Sequence, residues 1–358
     1  MINYNYDYIP FFKEIIGNPY EFNSNIHFKI NNRRYLGNKS KLVNFINSVV
    51  VEEIKEFNSF CDLFAGTGSV SAHFNNFDKK IIVNDILFSN YIVLKAFFSV
   101  TQIDYKVLQE KIEHLNNMNN FSESYFFETF GGKYFSIENA MKIGNIREEI
   151  DKISENENEK YLLLTSLIFA ADKVANTVGH YDAFCKKILN KNKLFLLMPF
   201  IRFENNFNNE IYRVDAVELA QQVKCDVLYL DPPYNSRQYN SAYHVLENLV
   251  KWEKPEVKGI AKKMEMNDTK SRFCTKLAPF DFKKIINKCN CKYIIVSYNN
   301  TANTMHSRSN ALISDSFIID EMRKIGEVKV FSMDYKGYTT GKAINMNNKE
   351  RLFFCKVG

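Results

Sequence analysis

The sequence predicts an α/β fold: a doubly wound, mainly parallel sheet with an antiparallel hairpin at one edge and an inserted, mostly helical region. Short apolar runs of strand length alternate with helix-period segments around residues 60–62, 81–84 and 227–230, as in parallel βα units. Between about residues 105 and 205 the pattern changes and is mostly helical. Strand-like runs return after residue 210. This order favours one α/β core that is interrupted by an insertion.

The edge hairpin is predicted from the last two apolar runs of the chain. Residues 328–331 are expected to pair with residues 351–355 across a loop that contains Gly337 and Gly341, because glycines between two strand-like runs are typical of a hairpin. At the other end of the core, helix signals begin at Ser40 and precede an apolar face suited to packing on the sheet.

Composition narrows the class of protein. The 358 residues exceed a typical single domain, and the net charge of +6 is compatible with a polyanionic partner without requiring one. The seven cysteines include no CxxC pair, which argues against zinc and favours free thiols in a reducing compartment. No basic segment followed by an apolar stretch opens the chain, and no apolar run approaches membrane-spanning length. We therefore expect a cytoplasmic protein without a membrane partner.

The strongest chemical signal is Asp231-Pro232-Pro233-Tyr234, directly after the apolar run 226–230. Two prolines cannot continue a sheet ladder, so the strand ends at Asp231 and leaves a carboxylate at the edge where open α/β sheets bind ligands. An adenine amino group is a poor nucleophile; an Asp231 oxygen and the Pro232 carbonyl are two acceptors for its hydrogens. Tyr234 offers a ring on which an extruded base can stack. The motif favours methyl transfer to an exocyclic amine.

A second signal lies upstream, where residues 60–69 predict a strand, a Gly-rich turn and a helix. Asp85 ends the following apolar run, at the offset where an acidic residue meets ribose hydroxyls. The third glycine of the dinucleotide fingerprint is missing, and Ser71 stands near that point. The pattern favours a nucleoside ligand without phosphates, with S-adenosylmethionine as the candidate cofactor, over a nicotinamide dinucleotide and an oxidoreductase.

Three segments, taken in their order along the chain, resemble the alpha-class DNA adenine amino-methyltransferases. They are RRYLGNKSKL at 33–42, DLFAGTG at 62–68 and DPPYNSRQY at 231–239. Tracts 176–181 and 295–299 resemble the subgroup found in restriction–modification systems. The resemblance implies a Rossmann-like, S-adenosylmethionine-dependent methyltransferase fold with target recognition encoded between the cofactor motifs and DPPY. It divides the chain into an N-terminal extension (1–25), a catalytic domain (26–115 and 206–358) and an inserted target-recognition region (116–205).

The resemblance also implies the site residues. The catalytic set is Asp231, Pro232, Pro233 and Tyr234. The cofactor-binding set is Tyr35, Gly37, Lys39, Asp62, Phe64, Gly66, Gly68, Asp85 and Asp215. Within it, Lys39 is expected to hold the methionine carboxylate, Asp85 to accept from the ribose hydroxyls and Asp215 to approach the cofactor adenine. The alternatives are a surface lysine for Lys39 and a helix-capping aspartate for Asp215.

Basic residues interleaved with aromatic ones point to the DNA contacts. Residues 183–203 contain no acidic side chain, and a second basic stretch covers residues 258–276. The predicted DNA-binding residues are Lys186, Lys187, Lys193, Arg237, Tyr239 and Arg272. We expect Arg237 or Tyr239, on the loop after DPPY, to contact DNA or fill the space left by the base. The alternative for residues 183–203 is a solvated, charged helix face over a core of aromatic residues. The second stretch could equally lack a DNA contact, and Arg237 and Tyr239 could stabilise the loop. His180 is expected to be structural or to contact DNA, because the reaction needs no general base.

The hypothesis from sequence is therefore a site-specific enzyme that methylates the N6 amino group of a flipped adenine in double-stranded DNA. It is expected to be a monomer and the modification partner of a companion restriction endonuclease, without a stable complex between them. An RNA amino-methyltransferase, a DNA cytosine-N4 methyltransferase and a non-catalytic nucleic-acid-binding protein remain alternatives. Cytosine C5 methylation is excluded because it needs a cysteine nucleophile and the chain contains no Pro-Cys dipeptide.

Overall fold

The computed structural model describes residues 22–76, 78–188, 190–299, 311–334 and 349–358. Most of the predicted N-terminal extension and the predicted loop with Gly337 and Gly341 lie outside these residues. The strands are β1 (His27–Phe28), β2 (Ser59–Asp62), β3 (Lys80–Asn84), β4 (Met198–Pro199), β5 (Glu210–Tyr212), β6 (Lys224–Leu230), β7 (Asn290–Asn299), β8 (Gly326–Asp334) and β9 (Lys349–Val357).

The helices lie between these strands and cover both faces of the main sheet. They are α1 (Val43–Glu53), α2 (Ser69–Phe74), α3 (Phe88–Phe98), α4 (Tyr105–Asn117), α5 (Tyr125–Phe130), α6 (Ile137–Ile153), α7 (Glu157–Val174), α8 (Ala216–Gln222), α9 (Tyr239–Ala242), α10 (His244–Lys251), α11 (Ala278–Lys288) and α12 (Asp315–Arg323). The helix predicted from Ser40 begins three residues later, at Val43.

The main sheet has the strand order β5-β3-β2-β6-β7-β9-β8. Its first five strands pair in parallel, and β9 runs antiparallel to both β7 and β8. Val328 pairs with Cys355 and Phe331 with Leu352, as the edge hairpin requires. The predicted fold class, a mainly parallel α/β sheet with an antiparallel edge, is confirmed.

The sheet order reverses at β2 and β6. From β2 the chain builds outward through β3 and β5, whereas β6 lies on the other side of β2 and the later strands extend from it. The two strands pair in parallel, with Asp62 opposite Tyr229, so both carboxyl ends meet at one point. Open α/β sheets bind their ligands at such a switch point, and both signals found in the sequence lie there.

Asn84 fixes how the neighbouring strand ends are arranged. Its side chain is buried; the amide donates to the carbonyls of Leu63 and Val214, and its oxygen accepts from the Val214 N–H. This side chain, at the end of β3, thereby satisfies backbone groups after β2 and β5, which would otherwise be costly to bury. The loops that carry the predicted cofactor residues are held in register by this asparagine.

The predicted inserted region, residues 116–205, is helical in its first part only. Helices α4 to α7 cover residues 105–174, and α7 packs on α3 of the core. Among the described residues of the basic tract 183–203 there is no α-helix. The tract carries the short strand β4, which pairs with β1, and ends where a 3₁₀ helix (Phe203–Asn205) begins. The alternative of a charged helix face is therefore wrong for this tract. No helix among the described residues combines the length and apolar character needed to cross a membrane.

Candidate active site

A cleft opens at the switch point of the sheet. It encloses about 1180 Å³, counting the part that is open to solvent. Its walls come from segments that are far apart in sequence: residues 35–39, 62–67, 69–70, 84–87, 214–216, 231–234 and 268–271, with Tyr229, Tyr239 and Phe273. The segments before β2, after β2, after β3 and after β6 therefore form a single site.

The Gly-rich turn after β2 forms the floor of the cleft. Gly66 has a φ of +53° and lies against the Tyr35 ring, where an added Cβ would be 3.3 Å from a ring carbon. Gly68 has a φ of +75° and begins α2, but an added Cβ there would meet Ile30 and Leu94 at 2.8 Å. Glycine is required at both positions because other residues rarely adopt this conformation. Gly68 does not line the cleft, so its role is to pack the turn.

Two aspartates, the buried Asp62 and the partly buried Asp85, hold this turn in place. Asp62 accepts a hydrogen bond from the Ser71 hydroxyl at 2.9 Å and from the Phe64 N–H at 3.3 Å. Burial raises its pKa to about 7, with those hydrogen bonds opposing the rise. Asp85 accepts from the Gly66 N–H at 2.9 Å and from the Leu87 N–H at 2.8 Å. Ser71, at the place of the missing third glycine, therefore has a structural partner.

Burial also raises the pKa of Asp85, to about 6, so its carboxylate is ionised at neutral pH. A carboxylate has about four lone-pair sites, and two backbone donors leave it able to accept further hydrogen bonds. Because it borders the cleft, it can accept from the hydroxyls of a bound ligand.

An aromatic stack forms the side wall. Tyr35 lies parallel to Tyr243, with ring centroids 4.4 Å apart, and tilts towards Tyr239 at 5.7 Å. The Leu36 N–H donates to the Tyr243 hydroxyl at 2.7 Å, which fixes the loop before α1 against α10. Tyr239 was predicted to lie on the loop after the Asp-Pro-Pro-Tyr motif. It lies instead in the cleft wall, because α9 begins at this residue and turns its ring inward.

Behind this stack, Arg33 is buried and makes an ion pair with Asp172 of α7 at 3.0 Å. Its guanidinium also donates to the Asn90 side chain at 2.7 Å, and Asn90 donates to the Tyr35 hydroxyl at 2.9 Å. The Asp172 carboxylate accepts from the Tyr181 hydroxyl at 2.7 Å. This network joins the cleft wall to the last helix of the inserted region.

The Asp-Pro-Pro-Tyr motif follows β6 as predicted and borders the cleft. Tyr234 is partly exposed and packs edge-on against Tyr298, with centroids 6.5 Å apart. Its backbone carbonyl accepts from the Leu312 N–H at 2.9 Å. The ring is thus held at the cleft by a neighbouring strand and by the segment after β7, with part of its surface free.

Asp231 belongs to a buried cluster of three charges. The Lys39 ammonium lies 3.0 Å from an Asp231 oxygen and 2.9 Å from an oxygen of Glu350, a buried residue of β9. Ser297 donates to the same Glu350 oxygen at 2.8 Å. Lys39, expected to hold the methionine carboxylate of the cofactor, is thus paired with two carboxylates of the protein.

The charges in this cluster shift one another's pKa values. Burial raises the pKa of Asp231 to about 6; Lys39 opposes the rise and Glu350 adds to it. Burial lowers the pKa of Lys39, but the two carboxylates outweigh burial and hold that pKa well above its usual value. At neutral pH the expected state is therefore one cation between two anions, with Asp231 ionised.

The predicted DNA-binding residues lie apart from one another. Lys186, Lys187 and Lys193 are exposed in the tract after α7. Arg237 is about half exposed and its guanidinium lies 3.9 Å from Asp182. Arg272 is also half exposed and pairs with Asp281 at 2.8 Å, although the neighbouring residues 268–271 line the cleft.

His180 lies near the same acidic residue, 3.7 Å from Asp182. Burial lowers the pKa of His180, and the charges of Arg237 and Lys263 act in the same direction. His180 is not among the residues that line the cleft. The expectation that it takes no catalytic part stays a prediction.

Several residues of the site were not found from the sequence. Glu350, Tyr243 and Asn90 make the contacts that position the predicted residues, yet none of them belongs to a recognised motif. Asp215 was expected to approach the cofactor adenine or to cap a helix. It borders the cleft and also caps α8, accepting from the Val217 N–H at 2.9 Å.

The fold and the site together define a class of protein. The cleft has a Gly-rich turn with an acidic residue after the next strand, and it faces Asp-Pro-Pro-Tyr across a switch point. These are the groups expected of a nucleoside-binding site beside an acceptor for amino hydrogens. This is the arrangement of an amino-methyltransferase.

Comparison with known proteins gives the family. Residues 35–310 match the model of the D12 class N6 adenine-specific DNA methyltransferases. The chain belongs to this family, which confirms the resemblance predicted from its motifs.

Three relatives illustrate the similarity. Modification methylase StsI of Streptococcus sanguinis is 33% identical over 90% of the chain and 52% of its own length. Type II methyltransferase M.NlaIII of Neisseria lactamica is 30% identical over 89% of the chain and 96% of its own length. Type II methyltransferase M.FokI of Planomicrobium okeanokoites is 30% identical over 85% of the chain and 49% of its own length. The chain thus spans about half the length of StsI and M.FokI and nearly all of M.NlaIII.

Proposed function

We propose that this protein is a site-specific DNA adenine methyltransferase (EC 2.1.1.72) that transfers the methyl group of S-adenosylmethionine to the N6 amino group of an extruded adenine. The observation that carries the proposal is the position of the Asp231 carboxylate, which lies at the carboxyl end of β6 in the same cleft as the Gly-rich turn and Asp85. The three relatives named above are methylases by name, and two of them are type II enzymes.

The charge of the cleft supports this cofactor. Among the described residues, the lining carries five aspartates against two lysines: Asp62, Asp85, Asp215, Asp231 and Asp268, with Lys39 and Lys270. Such a lining repels a pyrophosphate and attracts a ligand with a sulfonium and an ammonium group. When bound, S-adenosylmethionine would supply an electrophilic methyl group.

The residues for the rest of the cofactor are present. Asp85 would accept from the ribose hydroxyls, and the half-buried ring of Phe64, which packs edge-on against Phe273 at 5.0 Å, provides an apolar surface for its adenine. Tyr35, Gly37, Asp62, Gly66 and Asp215 would complete the binding site. Because Lys39 is engaged by Asp231 and Glu350, we assign the methionine carboxylate chiefly to backbone N–H groups of the loops.

Asp231 would act on the amino group itself. Its ionised carboxylate and the Pro232 carbonyl would accept the two amino hydrogens, which localises the nitrogen lone pair towards the methyl group. The nitrogen becomes positively charged as the bond to the methyl carbon forms, and a nearby carboxylate stabilises that charge. The surplus proton then leaves to water or through Asp231. Pro233 and Tyr234 would hold the extruded base against the carboxylate.

DNA would bind across the mouth of the cleft. Arg237 follows the Asp-Pro-Pro-Tyr motif, and its contact with Asp182 brings it beside Lys263. Lys186, Lys187 and Lys193 extend a positive surface from the inserted region, and Arg272 extends it from the other side. These side chains would contact phosphates, which supply most of the affinity for a duplex. Tyr239 would contact the base within the cleft.

The biological setting follows from this activity. We propose a cytoplasmic monomer that protects DNA as the modification enzyme of a restriction–modification system. A companion endonuclease would recognise the same DNA sequence but would not form a stable complex with this protein.

The proposal is tested by the identity of the methylated nucleoside. The purified protein would be incubated with methyl-labelled S-adenosylmethionine and either duplex DNA or RNA, and the products digested to nucleosides and separated. We expect N6-methyldeoxyadenosine from DNA, and no label with the Asp231→Ala variant. N4-methyldeoxycytidine, or label in RNA alone, would overturn the proposal in favour of the two alternative methyltransferase classes.

A further inference from the structure

An exposed isoleucine stands on a lysine-rich turn beside the cleft. Residues 258–263 form a tight turn in which the Lys258 N–H donates to the Lys263 carbonyl at 2.8 Å and the Lys263 N–H donates back at 3.0 Å. Gly259 and Lys262 have φ values of +71° and +52°, which close the turn. Ile260 is 86% exposed at its tip. A side chain this exposed buries little apolar area, so it contributes little to the stability of the fold.

The turn is fixed to the neighbouring loops. The Tyr134 hydroxyl lies 3.0 Å from the carbonyl oxygens of both Ala261 and Tyr181. The Lys263 ammonium lies 3.1 Å from Asp182 and also contacts the Ser241 hydroxyl. The base of the turn is thus anchored by a buried tyrosine and by a charge pair, so the tip is held in one place.

These anchors place the turn at the mouth of the cleft. Asp182 contacts both Lys263 and Arg237, and Arg237 is three residues after Tyr234. The chain that leaves the turn runs directly into residues 268–271, which line the cleft. The turn is therefore a neighbour of Arg237, one of the predicted DNA-binding residues, and is joined directly to a segment that lines the cleft.

We infer that Ile260 is the wedge that enters the DNA base stack when the target adenine leaves it. This inference rests on the proposed function. Tyr239, one of the two residues predicted for this role, is built into the cleft wall, and Arg237 faces Asp182. Apolar side chains are the usual wedges between base steps, and the lysines at positions 258, 262 and 263 suit the phosphates on either side. A protein partner of matching apolar shape is the competing occupant.

The test compares Ile260→Ala with Phe207→Ala. Phe207 is a matched control because it is 83% exposed but lies beside Asn209, whose side chain bonds the Ile81 N–H at the amino end of β3, opposite the cleft. Methylation by both variants would be assayed on a duplex with adenine at the mapped target position. Extrusion would be measured on the same duplex with 2-aminopurine in place of that adenine, because 2-aminopurine reports unstacking but has no N6 amino group to methylate. S-adenosylmethionine binding would be measured in parallel as a check of the fold.

We expect Ile260→Ala to lower single-turnover methylation and the 2-aminopurine signal on the order of tenfold, because the cost of unstacking is no longer offset by an inserted side chain. Phe207→Ala should behave as the wild type. An abasic site opposite the target, which weakens the base pair in advance, should remove most of the Ile260→Ala defect.

Three outcomes would overturn the inference. In the first, Ile260→Ala methylates at the wild-type rate. In the second, it loses equal activity on the paired and the abasic duplex. In the third, it loses only its binding to another protein. If the wild type itself methylates no DNA, the proposed function fails before the wedge is tested, so the two failures are distinguishable.

Discussion

Glu350→Gln is the substitution that tests the charge cluster most sharply. It removes one negative charge from the cluster and keeps the side-chain shape. The Asp231 and Glu350 oxygens that bond the Lys39 ammonium lie 3.0 Å and 2.9 Å from it, so they are at most 5.9 Å apart. At an effective dielectric constant of about 20, two unit charges at that distance repel by about 3 kcal/mol, or about two pKa units. Glu350 should therefore contribute to the rise in the Asp231 pKa, in addition to the larger effect of burial.

The sign of the effect follows from the direction of this shift. Asp231 acts in its ionised form, and its pKa of about 6 predicts that methylation falls as the pH drops through about 6. Without the charge of Glu350, the pKa of Asp231 falls towards its ordinary value of 3.8, and the acid limb moves to lower pH. At pH 8 the rate should fall about tenfold if half of the repulsion is felt at the amino nitrogen. The reason is that Lys39, no longer shared with a charged Glu350, pairs more strongly with Asp231 and competes with the substrate amino group for its carboxylate.

The assay is single-turnover methylation from pH 5 to pH 9, because product release can hide changes in the chemical step. Glu350→Asp keeps the charge and should keep the acid limb near its wild-type position. Glu321→Gln is a matched control, since Glu321 is also buried and paired with a lysine but lies on α12 outside the cleft lining. An unmoved acid limb in a folded Glu350→Gln protein would refute the electrostatic reasoning.

Four further predictions test other parts of the site. Asp231→Ala should lower the methylation rate by roughly 10²–10³ or more while calorimetry shows cofactor binding within a few-fold of wild type; weakened binding would place Asp231 in the cofactor site. Cofactor affinity should fall below about pH 6 as Asp85 is protonated, and Asp85→Asn should bind the cofactor weakly at every pH. If the affinity of this variant also fell below pH 6, a group other than Asp85 would be responsible. Asp62→Asn should raise the unfolding temperature at pH 8 and less at pH 5. Because the pKa of Asp62 is raised to about 7, burying its ionised carboxylate lowers the stability most above that pH. A gain in unfolding temperature that did not depend on pH would count against this cause. Asp172→Asn should destabilise the protein by about 3–5 kcal/mol in denaturant, because it leaves Arg33 buried and unpaired, whereas adding Arg33→Met should recover much of the loss; no recovery would argue against that origin.

The sequence predicted those parts of the site in which one segment carries its own signal. Asp231 and Asp85 each follow an apolar run, so their positions at strand ends could be inferred without knowing the rest of the fold. The strand pairing then brought both to one cleft, because the carboxyl ends of parallel strands meet at the same edge.

The Lys39 cluster could not be predicted in the same way. Glu350 lies near the end of the chain, and its contact with Lys39 depends on β9 pairing with β7, which places it beside Ser297 and Asn299. A long-range contact of this kind leaves no local pattern in the sequence. Lys39 was accordingly assigned to a ligand carboxylate when its nearest carboxylates belong to the protein.

Two other differences have local causes. The turn at Tyr239 was expected to be a loop, but a four-residue helix begins there and directs the ring inward. In tract 183–203, lysines and aromatic residues alternate without a clear period, and asparagine side chains instead fix the chain. Asn116 and Asn139, for example, accept from the Leu196 and Leu194 N–H groups.

The central claim is that this cleft methylates adenine at N6 within one short DNA sequence. Its most direct test is to incubate the purified protein with S-adenosylmethionine and methylation-free genomic DNA and to map modified bases by single-molecule sequencing, with Asp231→Ala in parallel. We predict N6-methyladenine confined to a single short motif, and none with the variant. Unmodified DNA despite measurable cofactor binding, or modification of cytosine, would contradict the claim.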